Sequence, residues 1–356
     1  MLGSNLRLGP RPPPKASVDA LDIQLVKGEV QVNAALMSRE ELLEWAKRLK
    51  ALAHKVTSLK ILCLPRGLQW SQYHYANLQD RKAHVQHVYS LKEHKLGVQT
   101  ASANVQHHIA RTAFYTAVCA VLRRAPVTEL VLGLRFSEGG YTMLSEALAA
   151  NKTLKRLSLA GSHLGDTRFM CLKPGLVTNN SLEELDLTAC NLSDAAALCV
   201  AGIIKAHADR RQALAFDEQL REYPDSSLLP HAAHGAFHAR LRSIAASVDE
   251  RCGGLLHLEL AENKLTDKSA RSLHDALSYD RRLIFLSLRA NRLTAEAERE
   301  FIALMKEHQA LLRVDLRQNP DPQLGILKAS RAHGTQPHLD EGLALLLEAE
   351  EWSLRV

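Results

Sequence analysis

The feature that most constrains the fold of this chain is a short phrase that recurs along it. Residues 187–194 read LTACNLSD, residues 260–267 read LAENKLTD and residues 288–295 read LRANRLTA. Each phrase belongs to a longer pattern, L-x-x-L-x-L-x-x-(N/C)-x-L, whose copies begin at five leucines: Leu154, Leu182, Leu255, Leu283 and, truncated, Leu311. The copies begin about 28 residues apart, except that the interval after Leu182 holds a full unit plus an insertion of about 45 residues. A pattern kept at one period predicts a fold built by stacking one structural unit.

The residue types of the pattern predict a strand, a turn and a helix in each unit. Leu185 and Leu187 are two residues apart, so on an extended strand both point to one side while Asp186 points to the other. The Asn or Cys that follows is expected in a buried turn, where an Asn side chain satisfies backbone groups that would otherwise cost about 1–3 kcal/mol each. An apolar stretch with helical spacing comes next, preceded by the N-cap candidates Ser193, Thr266 and Thr294.

This consensus and period are typical of leucine-rich repeats. We therefore predict an α/β leucine-rich-repeat solenoid, a horseshoe with a concave parallel β-sheet and convex helices. Degenerate copies at residues 30–37, 60–64 and 127–133 bring the number of repeats to about eight. The predicted organisation is a Pro-rich tail and lead-in, the solenoid with its two insertions, and a C-terminal loop with a short helix, at residues 1–28, 29–325 (insertions about 65–103 and 210–254) and 326–356.

The chain resembles one family of such proteins, the centrosomal protein 78 family. The order of segments is similar to the N-terminal repeat region of that family: VTELVLG, LKRLSLAGSHLGD, LEELDLTACNLSD, a charged insertion near ADRRQ, LLHLELAENKLTD and LRVDLRQNPD. The resemblance covers roughly residues 29–325. It implies a ribonuclease-inhibitor-like solenoid in the cytoskeleton of the centriole, basal body or ciliary axoneme, and an adaptor that recruits proteins such as ubiquitin-ligase components. The family has a long coiled-coil extension that this chain lacks, so functions that depend on it are not expected here.

Motifs for catalysis are missing from the sequence, which has no Walker A loop, G-x-G-x-x-G, G-x-S-x-G or H-E-x-x-H. We predict a protein that is not an enzyme and uses no cofactor or metal. The groups His84/His87 and His231/His234/His238 have helical spacings, but no cysteine or carboxylate set completes a metal site. The six cysteines contain no C-x-x-C pair, which favours a reducing, cytoplasmic compartment. No apolar run reaches the roughly 18 residues of a membrane span.

Two surfaces are candidates for partner binding. Strand positions that point away from the core are acidic in the middle and basic at the C-terminal end, and like charges on neighbouring strands repel, which favours a binding role. The candidates on this concave face are Arg156, Glu184, Asp186, Glu259, Glu262, Arg289, Arg292, Arg313 and Arg317. The candidates in the first insertion, where aromatic residues alternate with cations, are Trp70, Tyr73, Tyr75, Arg81, Lys82, Lys92 and Lys95. The competing interpretations are a solvated face with ordinary charges and aromatic residues that only pack the insertion onto the solenoid.

Three classes of partner are open. The favoured class is other proteins, either centriolar or axonemal components, with acidic tubulin tails suited to the aromatic and basic residues of the insertion. The first alternative is an RNA- or ribosome-associated protein, because the net charge is +6 and interleaved aromatic residues and cations bind single-stranded nucleic acid. The second alternative is a regulator of the GTPase-activating type, since such proteins resemble the same repeat class. Arg168 and Asn191 are the residues conceivable for that activity.

Overall fold

The computed structural model describes residues 28–33, 39–62, 101–133, 136–222, 252–308 and 310–329, with short helical pieces between residues 239 and 248. Nine strands form one sheet: β1 Glu29–Asn33, β2 Ser58–Leu62, β3 Glu129–Leu132, β4 Arg156–Ser158, β5 Glu184–Asp186, β6 His257–Glu259, β7 Phe285–Ser287, β8 Arg313–Asp315 and β9 Ile326–Lys328. Seven α-helices lie between them: α1 Arg39–Leu52, α2 Ala101–Arg124, α3 Glu138–Ala150, α4 Gly165–Thr178, α5 Asp194–Glu222, α6 Asp267–Leu277 and α7 Ala295–Glu307. A short 3₁₀ helix, Ala53–Lys55, follows α1.

Strands lie in the sheet in the order in which they occur along the chain. β1 to β8 pair in parallel, as predicted, and successive helices pack against one another on one side of the sheet. Because paired strands are about 4.8 Å apart and packed helices about 8–10 Å apart, stacking such units bends the sheet so that its free face is concave. β9 differs, because it runs antiparallel to β8 at residues 326–328, where the sequence predicted a loop.

The core is formed by the leucines of the repeated pattern and by one stripe of each helix. Leu185, Leu258 and Leu286 occupy the middle of their strands and are at most 1% exposed. The predicted helical pairs are all buried: Leu172/Leu176, Val200/Ile204, Leu273/Leu277 and Phe301/Met305. Each unit buries its leucines against its own helix and against its neighbours, so the stability of one repeat depends on the next.

Buried asparagines hold the turn that follows the strands. Asn291 donates from Nδ2 to the carbonyl oxygens of Leu260 and Leu288, both at 3.0 Å, and its Oδ1 accepts from the backbone N–H of Leu265 at 3.1 Å. Asn263 and Asn319 make equivalent bonds. The preceding residue has a left-handed backbone in each of these turns and in two earlier ones, at Gly161, Ala189, Glu262, Ala290 and Gln318. The predicted role of the asparagines is therefore confirmed.

Cys190 takes the asparagine position in the unit that begins at Leu182. The expectation that it fills the position by size alone is incomplete, because its Sγ lies 3.1 Å from the carbonyl oxygen of Leu159 and donates to it. Ser162 takes the same position one unit earlier, and its hydroxyl lies 3.8 Å from the sulfur of Cys190. Burial raises the pKa of the Cys190 thiol to about 12, so this sulfur is a neutral structural group.

A second set of contacts joins the N-termini of successive helices. Thr266 and Thr294 cap α6 and α7, as predicted, since their hydroxyls accept from backbone N–H groups of the first turn. Each of these threonines is held by an aspartate of the previous unit. Asp194 accepts from the backbone N–H of Thr266 at 2.8 Å and from its hydroxyl at 2.7 Å, and Asp267 accepts from the same two groups of Thr294 at 2.9 and 2.8 Å. Asp166 binds Ser193 in the same way.

The second insertion begins later than the sequence suggested. Its predicted start, about residue 210, lies inside α5, which continues to Glu222 as the longest described helix. Arg211 on this helix forms a buried ion pair with Asp280, next to β7. Gln219 donates to the carbonyl oxygen of Leu241 at 3.1 Å, which ties α5 to the short helical piece at residues 239–241. The chain returns at Gly253, where a Cβ would lie 1.5 Å from the carbonyl oxygen of Asn180, so only glycine fits.

Candidate protein-binding face

The strand register arranges the side chains of the concave face into two rows. The middle residue of these strands is buried, a leucine in β3 to β7 and Val314 in β8, and the residues before and after it point to the opposite face of the sheet. Row 1 runs across β3 to β8 as Glu129, Arg156, Glu184, His257, Phe285 and Arg313. Row 2 runs beside it as Val131, Ser158, Asp186, Glu259, Ser287 and Asp315.

At the N-terminal end of row 1 the charges are neutralised by their neighbours. Arg156 lies between two acids, with its guanidinium 2.5 Å from Glu184 and 3.7 Å from Glu129. Lys60 reaches Glu129 from the other side, at 2.9 Å. Burial alone would raise the pKa of Glu129, but the hydrogen bonds from Lys60 and Ser58 hold it below its ordinary value. Arg156 and Glu184, predicted as partner-binding residues, therefore belong to an alternating ladder rather than to a block of like charge.

Row 2 carries three carboxylates that differ in their surroundings. The hydroxyl of Ser158 donates to Asp186 at 2.8 Å. Asp315 is buried and is held by Arg317, whose Nε and Nη2 lie 3.0 and 2.7 Å from its carboxylate oxygens.

Between these two, Glu259 keeps a small part of its surface in the groove and is otherwise surrounded by protein. Burial, together with the neighbouring carboxylates of Asp186 and Asp315, raises the pKa of Glu259 to about 8, although Ser287 and Arg313 oppose the shift. Glu259 is therefore protonated at neutral pH, so row 2 carries less negative charge than its composition suggests.

Arg313 differs most from its prediction. The sequence placed it on the open concave face, but its side chain is only 5% exposed. Its Cζ lies 5.5 Å from the centre of the Phe285 ring. Its neighbour Asp315 is already paired with Arg317, and within the described part of the chain neither Nε nor Nη1 of Arg313 has a hydrogen-bond partner. Stacking of a desolvated cation on an aromatic ring contributes about 2 kcal/mol or more, whereas burying one ion costs several kcal/mol.

His257 occupies row 1 on the other side of Phe285, with its ring centre 5.7 Å from that of the phenylalanine. Its Nε2 is buried and has no hydrogen-bond partner among the described residues. Burial lowers the pKa of His257, so the imidazole is neutral at neutral pH. Phe285 was missed from the sequence because it is apolar. The signal was available, since Phe285 occupies the same repeat position as Arg156 and Glu184.

The remaining concave-face candidates lie in the turns after the strands. Glu262 has a left-handed backbone, with φ of 59°. Arg289 donates from Nε to Gln318 at 2.9 Å, and Arg292 is exposed. These residues form the rim of the concave face rather than its floor. All seven candidates of the first insertion lie outside the described residues: Trp70, Tyr73, Tyr75, Arg81, Lys82, Lys92 and Lys95.

Among the described residues, those considered for other chemistry do not come together in a site. The described residues contain no group of three or more His, Cys, Asp or Glu side chains placed to hold a metal ion. The five histidines weighed as ligands, at positions 84, 87, 231, 234 and 238, lie outside them. Arg168 donates within α4 to the carbonyl oxygen of Leu164, and Asn191 is exposed in a turn. Burial raises the pKa of the Cys119 thiol to about 11, which makes it a poor nucleophile.

Comparison with known proteins supports a leucine-rich-repeat-like chain. The family described as Leucine Rich repeat matches residues 178–201, which contain the end of α4, β5 and the start of α5. A search of the curated proteins found no match. Within the described ranges, no helix is both long and apolar enough to cross a membrane. The repeat match and the parallel sheet suggest a role in protein interaction, and leucine-rich-repeat proteins are typically non-catalytic interaction scaffolds.

Proposed function

We propose that this chain is a non-catalytic adaptor of the centriole, basal body or ciliary axoneme, and that it binds other proteins through the concave face of its sheet. The observation that carries the adaptor role is the floor of that face. It presents polar side chains in two rows on a sheet fixed by parallel strand pairing and buried asparagines. A rigid surface of this kind binds a partner with little loss of its own conformational entropy.

The cytoskeletal setting is supported by the resemblance in sequence to the centrosomal protein 78 family. That resemblance rests on the order of the repeats and on the places where the two insertions interrupt them. Centriolar and axonemal components are the proposed partners, with tubulin and ubiquitin-ligase components among them. The proposed localisation is the cytoplasm, at the centrosome or basal body or along the cilium.

Imaging and affinity purification of the tagged full-length chain test this proposal together. We expect the tagged chain to lie with centriole or axoneme markers and to capture their proteins. Recovery of ribosomal RNA in place of cytoskeletal proteins, removed by ribonuclease treatment, would move the assignment to the RNA-associated class.

A pair of charge-reversed variants locates the binding face. Arg289→Glu with Arg292→Glu changes the rim of the concave face, and we expect it to reduce partner capture because rim charges steer association. Arg317 is left out, since its reversal would leave Asp315 facing a like charge. The matched control is Arg271→Glu with Arg299→Glu, two exposed positions on α6 and α7 with the same change in net charge. Equal loss of capture in both variants would contradict the concave-face assignment.

A further inference from the structure

We propose that Arg313, Phe285 and His257 form a carboxylate-binding pocket on the concave face, which takes an acidic side chain from an extended segment of a protein partner. This inference rests on the proposed function, because it names the chemistry of the partner at the same face. The three residues are consecutive in row 1, on β8, β7 and β6. The pocket therefore belongs to the rigid floor of the sheet and not to a loop.

The guanidinium of Arg313 is buried and, among the described residues, lacks hydrogen-bond acceptors for two of its nitrogens. Arg313 is only 5% exposed, and its Nε and Nη1 have no hydrogen-bond partner in the part of the chain that the structure describes. Its nearest acid on the same strand, Asp315, is taken up by Arg317. A buried guanidinium with two N–H groups that lack acceptors destabilises the free protein. A carboxylate that binds through Nη1 and Nη2, or through Nε and Nη2, removes part of that cost. Planar, two-point recognition is what arginine offers and lysine does not.

The wall of the pocket combines an aromatic ring with an imidazole. The Phe285 ring lies between Arg313 and His257, 5.5 Å from the guanidinium carbon and 5.7 Å from the imidazole centre. The ring excludes water, which strengthens a hydrogen bond formed beside it. His257 supplies an unpartnered Nε2 on the far side, which in the Nε2–H tautomer donates to a carbonyl oxygen of the bound segment.

The neighbouring row sets the charge of the pocket. Glu259 faces Asp186 on β5, Ser287 on β7, and Arg313 and Asp315 on β8. Because its pKa is raised to about 8, Glu259 is neutral at pH 7 and does not compete for the guanidinium. The planar guanidinium of Arg313 beside the Phe285 ring matches the carboxylate of an acidic side chain in shape and charge, so an acidic peptide is the proposed ligand class.

The direct test measures the affinity of the full-length chain for a fluorescent octaglutamate peptide with blocked ends, by anisotropy at pH 7. We expect Arg313→Gln to weaken binding about tenfold or more, as loss of a buried charge partner does. Arg271→Gln, on the exposed face of α6, removes the same charge and should change affinity by less than about twofold. Equal weakening by both variants would mean that only net charge attracts the peptide, and would overturn the pocket.

A second arm does not depend on the folding of the Arg313 variant. In the wild-type chain, Glu259 ionises as pH rises from 7 to 9 and becomes a competing counter-ion for Arg313, so we expect affinity for octaglutamate to fall by about threefold or more. Glu259→Gln should bind with unchanged affinity over this range. A flat profile in the wild type, or an equal fall in Glu259→Gln, would refute the pocket.

Two further probes separate this inference from the proposed function. An octalysine peptide and an eight-nucleotide RNA are tested beside octaglutamate, and tighter binding of either one, lost in Arg313→Gln, would replace the acidic peptide as the ligand class. Capture of a protein partner that depends on Arg289 and Arg292 but is unchanged by Arg313→Gln would retain the adaptor and reject the pocket. Loss of all capture, with octaglutamate still bound in an Arg313-dependent way, would reject the adaptor and retain the pocket.

Discussion

Replacing Asn291 by Ala tests the reasoning that links the repeated phrase to stability. The side chain of Asn291 is buried and makes four backbone hydrogen bonds. Its Nδ2 donates to the carbonyl oxygens of Leu260 and Leu288 at 3.0 Å and shares a longer contact of 3.2 Å with that of Arg289, and its Oδ1 accepts from the N–H of Leu265. Alanine makes none of them. Because the bonds join β6, β7 and the turns that follow, the effect should be confined to these repeats and their neighbours.

The size of the stability loss depends on which backbone groups keep another hydrogen-bond partner when the Asn291 side chain is removed. The carbonyl oxygens of Leu260 and Leu288 also accept from Asn263 and Asn319, both within 3.1 Å, so each loses one bond of two. The N–H of Leu265 is left with no acceptor, which costs about 1–3 kcal/mol, and the two lost carbonyl bonds add about 0.5–1.5 kcal/mol each. We expect Asn291→Ala to lower the free energy of unfolding by about 2–6 kcal/mol.

Urea unfolding measures this loss, and hydrogen exchange of the segment that contains Leu265 shows where it falls. Arg292→Ala is the matched control, since Arg292 is exposed and its change should cost less than about 0.5 kcal/mol. The stability loss of Asn291→Cys should lie between those of Asn291→Ala and Arg292→Ala, because Cys190 donates to a carbonyl oxygen in the equivalent position. A loss at Asn291→Ala no larger than that of the control would refute the role given to the buried amide.

Two other perturbations test contacts between units. Arg211→Ala should cost about 3–5 kcal/mol because it leaves the Asp280 carboxylate buried without its partner, and adding Asp280→Asn should recover part of that loss in urea unfolding. Burial raises the pKa of Asp194, but its hydrogen bonds with Ser269 and Thr266 outweigh this effect and hold the pKa below its ordinary value. The contribution of Asp194 to stability is therefore present above pH 3.8 and is lost as the pH falls through the lower pKa of the folded state. Thermal melting from pH 6 to pH 2 should therefore show a shallower acid loss for Asp194→Asn, and an unchanged slope would contradict this role.

The sequence predicted those parts of the fold that depend on neighbours along the chain. One short stretch of consecutive residues contains the strand, the buried Asn and the N-cap of each repeat. The turn at Asn291 and the cap at Thr294 were therefore identified correctly. β9 was not identified, because a strand this short at the end of the sheet has no periodic signal of its own. The length of α5 was missed because the repeat period places the end of this helix near residue 210, whereas α5 continues to Glu222, two residues before Pro224.

The candidate site was predicted less well, because it depends on which side chains meet across strands. The sequence identified Arg313 as a residue of the concave face, but its burial and lack of a partner follow from Arg317 having taken Asp315. The alternating ladder around Arg156 likewise depends on Glu129, which lies on the preceding strand and belongs to the previous repeat. The predictions for the first insertion stay untested, since its candidate residues lie outside the described part of the chain.

The aspartate contacts between helices have a consequence for how such a protein changes over time. Asp194 and Thr266 are 72 residues apart along the chain, yet their contacts match those of Asp267 and Thr294, which are 27 residues apart. The strands on either side, β5 and β6, also pair in the common register. These contacts join the repeats on either side of residues 223–251 and involve no residue of that segment. Residues 223–251 add contacts of their own, since Leu241 binds Gln219 and Val248 is buried. The pairing of β5 with β6 and the contact of Asp194 with Thr266 do not involve them, so a change of length within this interval is compatible with an unchanged spacing of the repeats.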